Sequence, residues 1–439
     1  MNAVKSCISR RRIFTYLNIA FLLLSSLWVS QAIAESYLLD AIEFRGNDTT
    51  QDLIMLQEIN LVVGEMASDA AIEYSRQSIM DLGLFKRVSA DLEARGGKGK
   101  SLIITVIEKR YLLILPRLSR SGDGDWSYGA KFQWDNLYGK NRRLQFGYRR
   151  KDLKNSDIEQ EDRLELEYYL PRLWGSQFNL EYVLRSEDIE IDETRDELSG
   201  RYEQKLDSMR IRLSRWLREK GPSQGWLLRS ELTYEDYDSD FLSGDEGLFF
   251  DTTVASVAIS VIYQDVHDKL YSREGKSYGL TVSASESIDG EDVSFSRGEI
   301  FYRRYIPITR KPHTNFNYQL RYMTSSGSIF GDASYGLGGN TTLRGYDRDS
   351  LEGESAFIAN LEFMVPMFGH NTLRGAVFSD IGGAFSESSG FDASELEYSV
   401  GLGVRYKLRA FVRTDLRLDV GYGVESGETK VYGSTNTSF

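Results

Sequence analysis

Near the end of the chain, Val400, Leu402, Val404, Tyr406 and Leu408 alternate one for one with Gly401, Gly403, Arg405 and Lys407. Leu416, Leu418, Val420 and Tyr422 then alternate with Arg413, Asp415, Arg417 and Asp419. In a β-strand successive side chains point to opposite faces, so each segment has one apolar face and one charged or small face. Charge on every second residue cannot face lipid, and the residues between cannot all face water. Segments of this kind recur about every twenty residues from Tyr111 onward, the spacing of ~10-residue membrane strands with their connections, and about sixteen can be counted. Two architectures accommodate such strands: a soluble sandwich and a membrane β-barrel.

The connections favour the barrel. With Tyr111 to Arg120 as the first strand, one set of alternate connections is long and acidic: Lys151 to Asp162, Ser186 to Lys205, Glu235 to Phe250, Thr324 to Glu354 and Phe385 to Glu397. The other set is short and holds most of the prolines: Asn136 to Asn141, Pro171 to Ser176, Leu217 to Gly225, Pro307 to Thr314 and Pro366 to Asn371. Gln264 to Lys276 is expected as a fuller turn in the short set. Long outside and short periplasmic connections are the asymmetry of outer-membrane barrels.

The N-terminus agrees with export. Lys5, Arg10, Arg11 and Arg12 precede an apolar run from Ile13 to Val29 and the small-x-small pattern Ala32-Ile33-Ala34, so residues 1–34 are expected to be a removable signal peptide. The sole cysteine, Cys7, lies in that segment, leaving no thiol for a disulfide or a metal in the mature chain. Its loss also takes four basic residues and no acidic ones, moving the formal net charge from −12 to −12 − 4 = −16. Such a charge disfavours nucleic acid as a partner. Phe439, ending a strand in which it alternates with Thr437, Thr435 and Val431, fits the terminal aromatic of an outer-membrane barrel.

Residues 35–110 read differently. Tyr37 to Phe44 is a strand, Gly46-Asn47-Asp48 a turn, and Thr50 to Ile59 a short helix. Ser68 is placed to cap a second helix carrying Ile72, Ser75, Ile79 and Leu82 on one stripe, stopped by Gly83. Val88 to Glu93 and Ser101 to Glu108 are strands joined through Gly96-Gly97-Lys98-Gly99. The expected fold is therefore a small α+β domain (βααββ) followed by a membrane β-barrel of about sixteen antiparallel strands over residues 111–439.

That order, with Ile42-Glu43-Phe44-Arg45-Gly46-Asn47 and Leu82-Gly83-Leu84-Phe85-Lys86-Arg87-Val88, resembles a single POTRA domain, the periplasmic repeat of the BamA/TamA family. Gly338-Gly339-Asn340-Thr341-Thr342-Leu343-Arg344-Gly345-Tyr346 is similar to that family's signature loop, in which a valine or leucine, an arginine, a glycine and an aromatic fold into the lumen. Four stretches match the family in order: Asn360-Leu361-Glu362-Phe363 with Pro366, Val377 to Gly382, Ser399 to Tyr406, and Asp415 to Tyr422. Asp135-Asn136-Leu137-Tyr138-Gly139 resembles its first periplasmic turn. The resemblance covers nearly the whole mature chain.

It implies three sets of site residues. In the loop, Leu343, Arg344, Gly345 and Tyr346 enter the lumen, where Arg344 is expected to bridge Glu362 and Asp380; the alternative is an exposed loop arginine. A guanidinium drawn inside needs planar acceptors, and Glu362 shares a face with Asn360, opposite Leu361 and Phe363. The seam between first and last strands, marked by Pro116, Gly433, Thr435 and Phe439, corresponds to the family's proposed lateral gate; alternatively Pro116 lies only in the linker. Val88, Ala90 and Leu92 mark an edge strand able to accept an extended client.

No enzyme is expected. His267, His313 and His370 have no metal-ligand spacing and share no strand face with a serine and a carboxylate, so neither a metal nor another cofactor is implied. The leading function is insertion, assembly or translocation of outer-membrane or exported protein clients, with the lipid bilayer as the medium and room for periplasmic or lipoprotein partners. A dedicated secretion pore and a passive channel with a structural periplasmic domain are the alternatives.

Overall fold

The computed structural model describes residues 36–435 except 95–98, 121–125, 154–159, 196–197, 222–223, 248–249, 291–292, 309–310, 328–333 and 387–390. The expected signal peptide and Phe439 lie outside the described residues.

The N-terminal domain comprises β1 (Ser36–Arg45), α1 (Asp52–Leu56), β2 (Met66–Ser68), α2 (Asp69–Asp81), β3 (Phe85–Ala94) and β4 (Lys100–Glu108). Its sheet order is β2-β1-β4-β3, with β1 parallel to β4 and the other neighbours antiparallel. Ser68 caps α2 by accepting from the Ala71 amide at 3.3 Å, and Ile72, Ser75, Ile79 and Leu82 are buried along one stripe. Beyond Leu82, Gly83 takes φ +74°, where glycine is unstrained. The structure adds β2 to the expected elements; three residues are too few to show a period. Leu39, Met55, Ile79, Phe85, Leu102 and Ile104 form the core.

The barrel strands are β5 (Leu112–Arg120), β6 (Trp126–Leu137), β7 (Arg142–Asp152), β8 (Gln160–Leu170), β9 (Phe178–Arg195), β10 (Leu198–Gly221), β11 (Gln224–Gly244) and β12 (Thr252–Asp268). They continue as β13 (Arg273–Gly290), β14 (Ser294–Pro307) and β15 (Asn315–Gly327), then a small hairpin of β16 (Tyr335–Leu337) and β17 (Leu351–Gly353). Last come β18 (Ser355–Met367), β19 (His370–Phe385), β20 (Glu397–Lys407), β21 (Asp415–Gly423) and β22 (Thr429–Ser434). Leaving out the hairpin, sixteen strands form one sheet in chain order, ending at β5 and β22. Alternation and burial agree: on β21, Asp415, Arg417 and Asp419 are buried while Leu416, Leu418, Val420 and Tyr422 are exposed outward.

Two of the expected long connections are largely strand instead. Most of Ser186 to Lys205 and of Glu235 to Phe250 extends β9, β10 and β11, and β10 reaches 24 residues. At ~3.4 Å per residue this is ~80 Å, far beyond a bilayer crossing. Outside the membrane both faces meet water, so the apolar alternation stops while the ladder continues. The expected fuller turn after Gln264 is tight, because β12 runs to Asp268 and β13 starts at Arg273.

The N-terminal domain docks on the short-turn end of the barrel. The Gln51 amide donates to Gly139 O at 3.0 Å, and Asn136 Nδ2 donates to Thr50 Oγ1 at 2.8 Å. Arg172 pairs with Glu58 at 2.7 Å. Asp81 accepts from Gln224 Nε2 at 3.0 Å and from the Asp268 amide at 2.8 Å, and meets His267 Nδ1 at 2.8 Å. Arg413 donates to Leu82 O at 2.9 Å, while its neighbour Val412 is buried in the domain's core. Five barrel turns thus hold one small domain.

Candidate functional site

The segment between β16 and β17 carries Leu343, Arg344, Gly345 and Tyr346 against the inner faces of β18 to β22. Arg344 is 2 % exposed. Its guanidinium makes a two-pronged contact with Asp380, Nε to Oδ2 at 2.7 Å and Nη2 to Oδ1 at 2.6 Å, and its backbone amide donates to Asp380 Oδ2 at 3.1 Å. Nη1 lies 3.3 Å from Glu362 and 3.4 Å from Asp419. The Phe378 ring lies under the guanidinium, 3.4 Å from Cζ to centroid. Burial alone would lower the Arg344 pKa, but hydrogen bonding to Asp380 and the surrounding carboxylates hold it above its ordinary value.

The cluster extends further. Arg405 pairs with Glu362 at 3.1 Å and with Asp419, and Arg417 pairs with Asp419 while donating to Asn340 O at 2.8 Å. Asn360 Nδ2 donates to Thr342 O at 2.7 Å and to Asp380 Oδ1 at 2.8 Å. Three arginines therefore face three carboxylates, all buried. Removing one member of such a set leaves an uncompensated charge, at a cost of ~3–5 kcal/mol.

Glycine permits the close fit. Gly345 has φ +103°, and a Cβ there would lie 2.5 Å from the Gly423 amide nitrogen. A Cβ on Gly421 would lie 2.8 Å from the Gly345 nitrogen. The loop backbone thus rests directly on β21. Leu343 is buried beside Leu337 near Gly382, and Tyr346 Oη donates to Glu425 Oε2 at 2.6 Å and lies 3.0 Å from Tyr398 O.

The loop also grips the last strand. Tyr432 Oη accepts from the Gly345 amide at 2.9 Å and donates to Tyr346 O at 2.8 Å. Lys430 Nζ pairs with Asp347 at 2.8 Å. β22 meets β21 only from Arg417↔Ser434 to Tyr422↔Thr429, and among the described residues no ladder joins it to β5.

Arg344, Glu362 and Asp380 are thus brought together. Pro116 lies within β5, opposite Ala130, rather than in the linker; Gly433 is in β22 opposite Leu418, and Thr435 follows it. Val88, Ala90 and Leu92 lie on β3, at one edge of the N-terminal sheet. Their side chains turn into the domain core, so the edge offers backbone groups. Sequence reasoning placed Asp419, Arg405 and Arg417 on the inner face without joining them to the loop, and it missed Tyr432. The period-two pattern reports face but not depth.

A sixteen-stranded sheet with an N-terminal domain on its short-turn end and a buried arginine loop inside defines an outer-membrane assembly or translocation barrel as a class. Residues 118–430 match the Omp85 superfamily domain, and residues 37–109 match the POTRA model described as a surface antigen variable number repeat. The chain belongs to the Omp85 superfamily, as a BamA/TamA-type outer-membrane β-barrel protein with a POTRA domain. CdiB from Escherichia coli is similar in structure, with TM-score 0.63 and 13 % identity over 90 % of this chain and 76 % of that one. CdiB from Acinetobacter baumannii gives 0.58 and 13 % over 90 % and 72 %. BamA from Haemophilus ducreyi lacking POTRA domains 1–3 gives 0.51 and 16 % over 90 % and 84 %. Comparison with curated proteins found no match.

Proposed function

We propose that this protein inserts or assembles client proteins in the outer membrane by letting them pair at the seam between β5 and β22, with the POTRA domain on the periplasmic side receiving them along β3. The observation that carries this reading is how the last strand is held among the described residues. β22 ends the sheet, has one strand partner among the described residues, and is fastened from inside by the loop. A client strand adding to either sheet end gains backbone hydrogen bonds without any requirement on its side chains, which suits varied clients. No chemical step, cofactor or fuel enters: β-augmentation at β3 and strand exchange at the seam lower the barrier to insertion.

A secretion pore would need a passage through the barrel, where the loop fills the β18–β22 side of the lumen and the POTRA domain occupies the turns at one end. Reconstitution in lipid vesicles separates the readings. A disulfide across the seam, from a cysteine at Ile114 to one at Gly433 or Thr435, all on the outward parity of their strands, is expected to stop insertion of an unfolded barrel client, and reduction is expected to restore it. Undiminished insertion by the locked protein would refute the lateral route.

A further inference from the structure

We propose that the POTRA domain touches the bilayer itself, through Leu53 and Leu56 of α1, on the phospholipid leaflet at the short-turn end of the barrel. This surface rests on the placement of the domain beneath the membrane adopted above. Three observations lead to it. First, α1 sits between two barrel turns: Gln51 binds the β6–β7 turn through Gly139 O at 3.0 Å and Tyr138 O at 3.1 Å. At the other end, Arg172 of the β8–β9 turn binds Glu58 at 2.7 Å and Gln57 O at 3.3 Å. The helix is therefore fixed against the rim where the wall leaves the membrane.

Second, those two turns present Tyr138 at 72 % exposure and Trp174 at 93 %. Tyrosine and tryptophan concentrate at the headgroup level of barrels, where an apolar ring meets a polar tip. Third, the leucines point the right way. Successive helical residues turn by about 100°, so Leu53 and Leu56 share a side while Ile54 and Met55 occupy the other two directions. Ile54 and Glu58 line a lumenal cavity of about 280 Å³ with Arg143, Arg212 and Arg413, and Met55 is in the domain core. Leu53 and Leu56, 55 % and 46 % exposed, face away from both the barrel axis and the domain.

The apolar belt of the barrel is thereby continued onto the POTRA domain, with Tyr138 and Trp174 at the join. Lipid is the occupant favoured, because the leucines sit beside two turns that end the lipid-facing wall and expose Tyr138 and Trp174. Contact there limits how far the domain can swing without tearing two leucines from the interface.

The test uses the full-length protein in nanodiscs of phosphatidylethanolamine and phosphatidylglycerol, with Cys7→Ser and a single environment-sensitive fluorophore at Leu53→Cys, Leu56→Cys or Asp91→Cys. Asp91 lies on β3, at the opposite edge of the domain's sheet from β2. The first two probes should give blue-shifted emission that is lost when doxyl-labelled lipid is included, with Asp91→Cys unaffected. Water-like, unquenched emission at Leu53 and Leu56 would overturn the inference, as would equal quenching at all three sites. Labelling of Asp91→Cys in intact cells by a maleimide carried on a polymer too large to pass porins would instead defeat the periplasmic placement, and with it the assignment to that leaflet, whatever the quenching shows.

Discussion

The two sides of the barrel wall are built on opposite plans. From β9 to β13 the strands are long and fully laddered, and their inner ion pairs are partly open: Arg143–Glu167 on the adjoining strands has side chains 22 % and 18 % exposed, and Arg212–Glu181 is similar. From β18 to β22 the strands shorten, to six residues in β22 among the described residues, while the ion pairs are sealed beneath the loop. One side is held by backbone hydrogen bonds, the other by buried charge. Ion pairs in water contribute little, whereas buried ones cost heavily when broken. The contrast teaches that the β22 edge of the sheet is secured by side chains gathered around one loop, whereas the long-stranded side is secured by its own ladder.

Substitutions should separate the two sides by size of effect. Asp380→Ala strips Arg344 of its two-pronged partner and should destabilise the folded barrel by ~3–5 kcal/mol, read as lost folded yield and a lower temperature in the heat-modifiability shift. Asp81→Ala removes the acceptor shared by His267, Gln224 and the Asp268 amide; it should cost ~1–3 kcal/mol of docking, read as faster hydrogen exchange in α2 with the strands unchanged.

A smaller, pH-dependent effect belongs to Lys109. Its ammonium is buried and donates to Gly83 O at 2.7 Å, and burial lowers its pKa from 10.5 to about 8. Between those values the unfolded chain holds a proton that the folded one has released, so stability rises with pH across about 8 to 10.5 and the penalty is full below 8. A urea midpoint for the junction should climb over that window, and Lys109→Met should flatten the slope. The smallest change is expected from Arg143→Met, ~0–1 kcal/mol on the same heat-modifiability scale, because its pair with Glu167 is partly hydrated.

How much was legible follows from what each pattern reports. Alternation works where the two faces of a strand meet different solvents, so β20 and β21 are plain while the outer halves of β9 to β11 read as loops. Arg344, Glu362 and Asp380 came from ordered motif resemblance joined to strand parity. Asp419 carries the same parity as its charged neighbours Asp415 and Arg417, and only the three-dimensional path of the loop singles it out. Docking of the N-terminal domain left no trace in local pattern, since Asp81 and His267 are 186 residues apart. Tyr432 reads as any strand aromatic, and only the path of the loop across it gives it a role.

The central claim is that the loop, more than strand pairing, holds β22 in place. Hydrogen–deuterium exchange on the protein in nanodiscs, comparing the unaltered chain with Arg344→Ala, tests it most directly. The prediction is fast exchange appearing in β22 and the adjoining part of β21 while β9 to β12 keep their protection. Protection of β22 unchanged by the substitution, or lost equally on both sides of the wall, would contradict it.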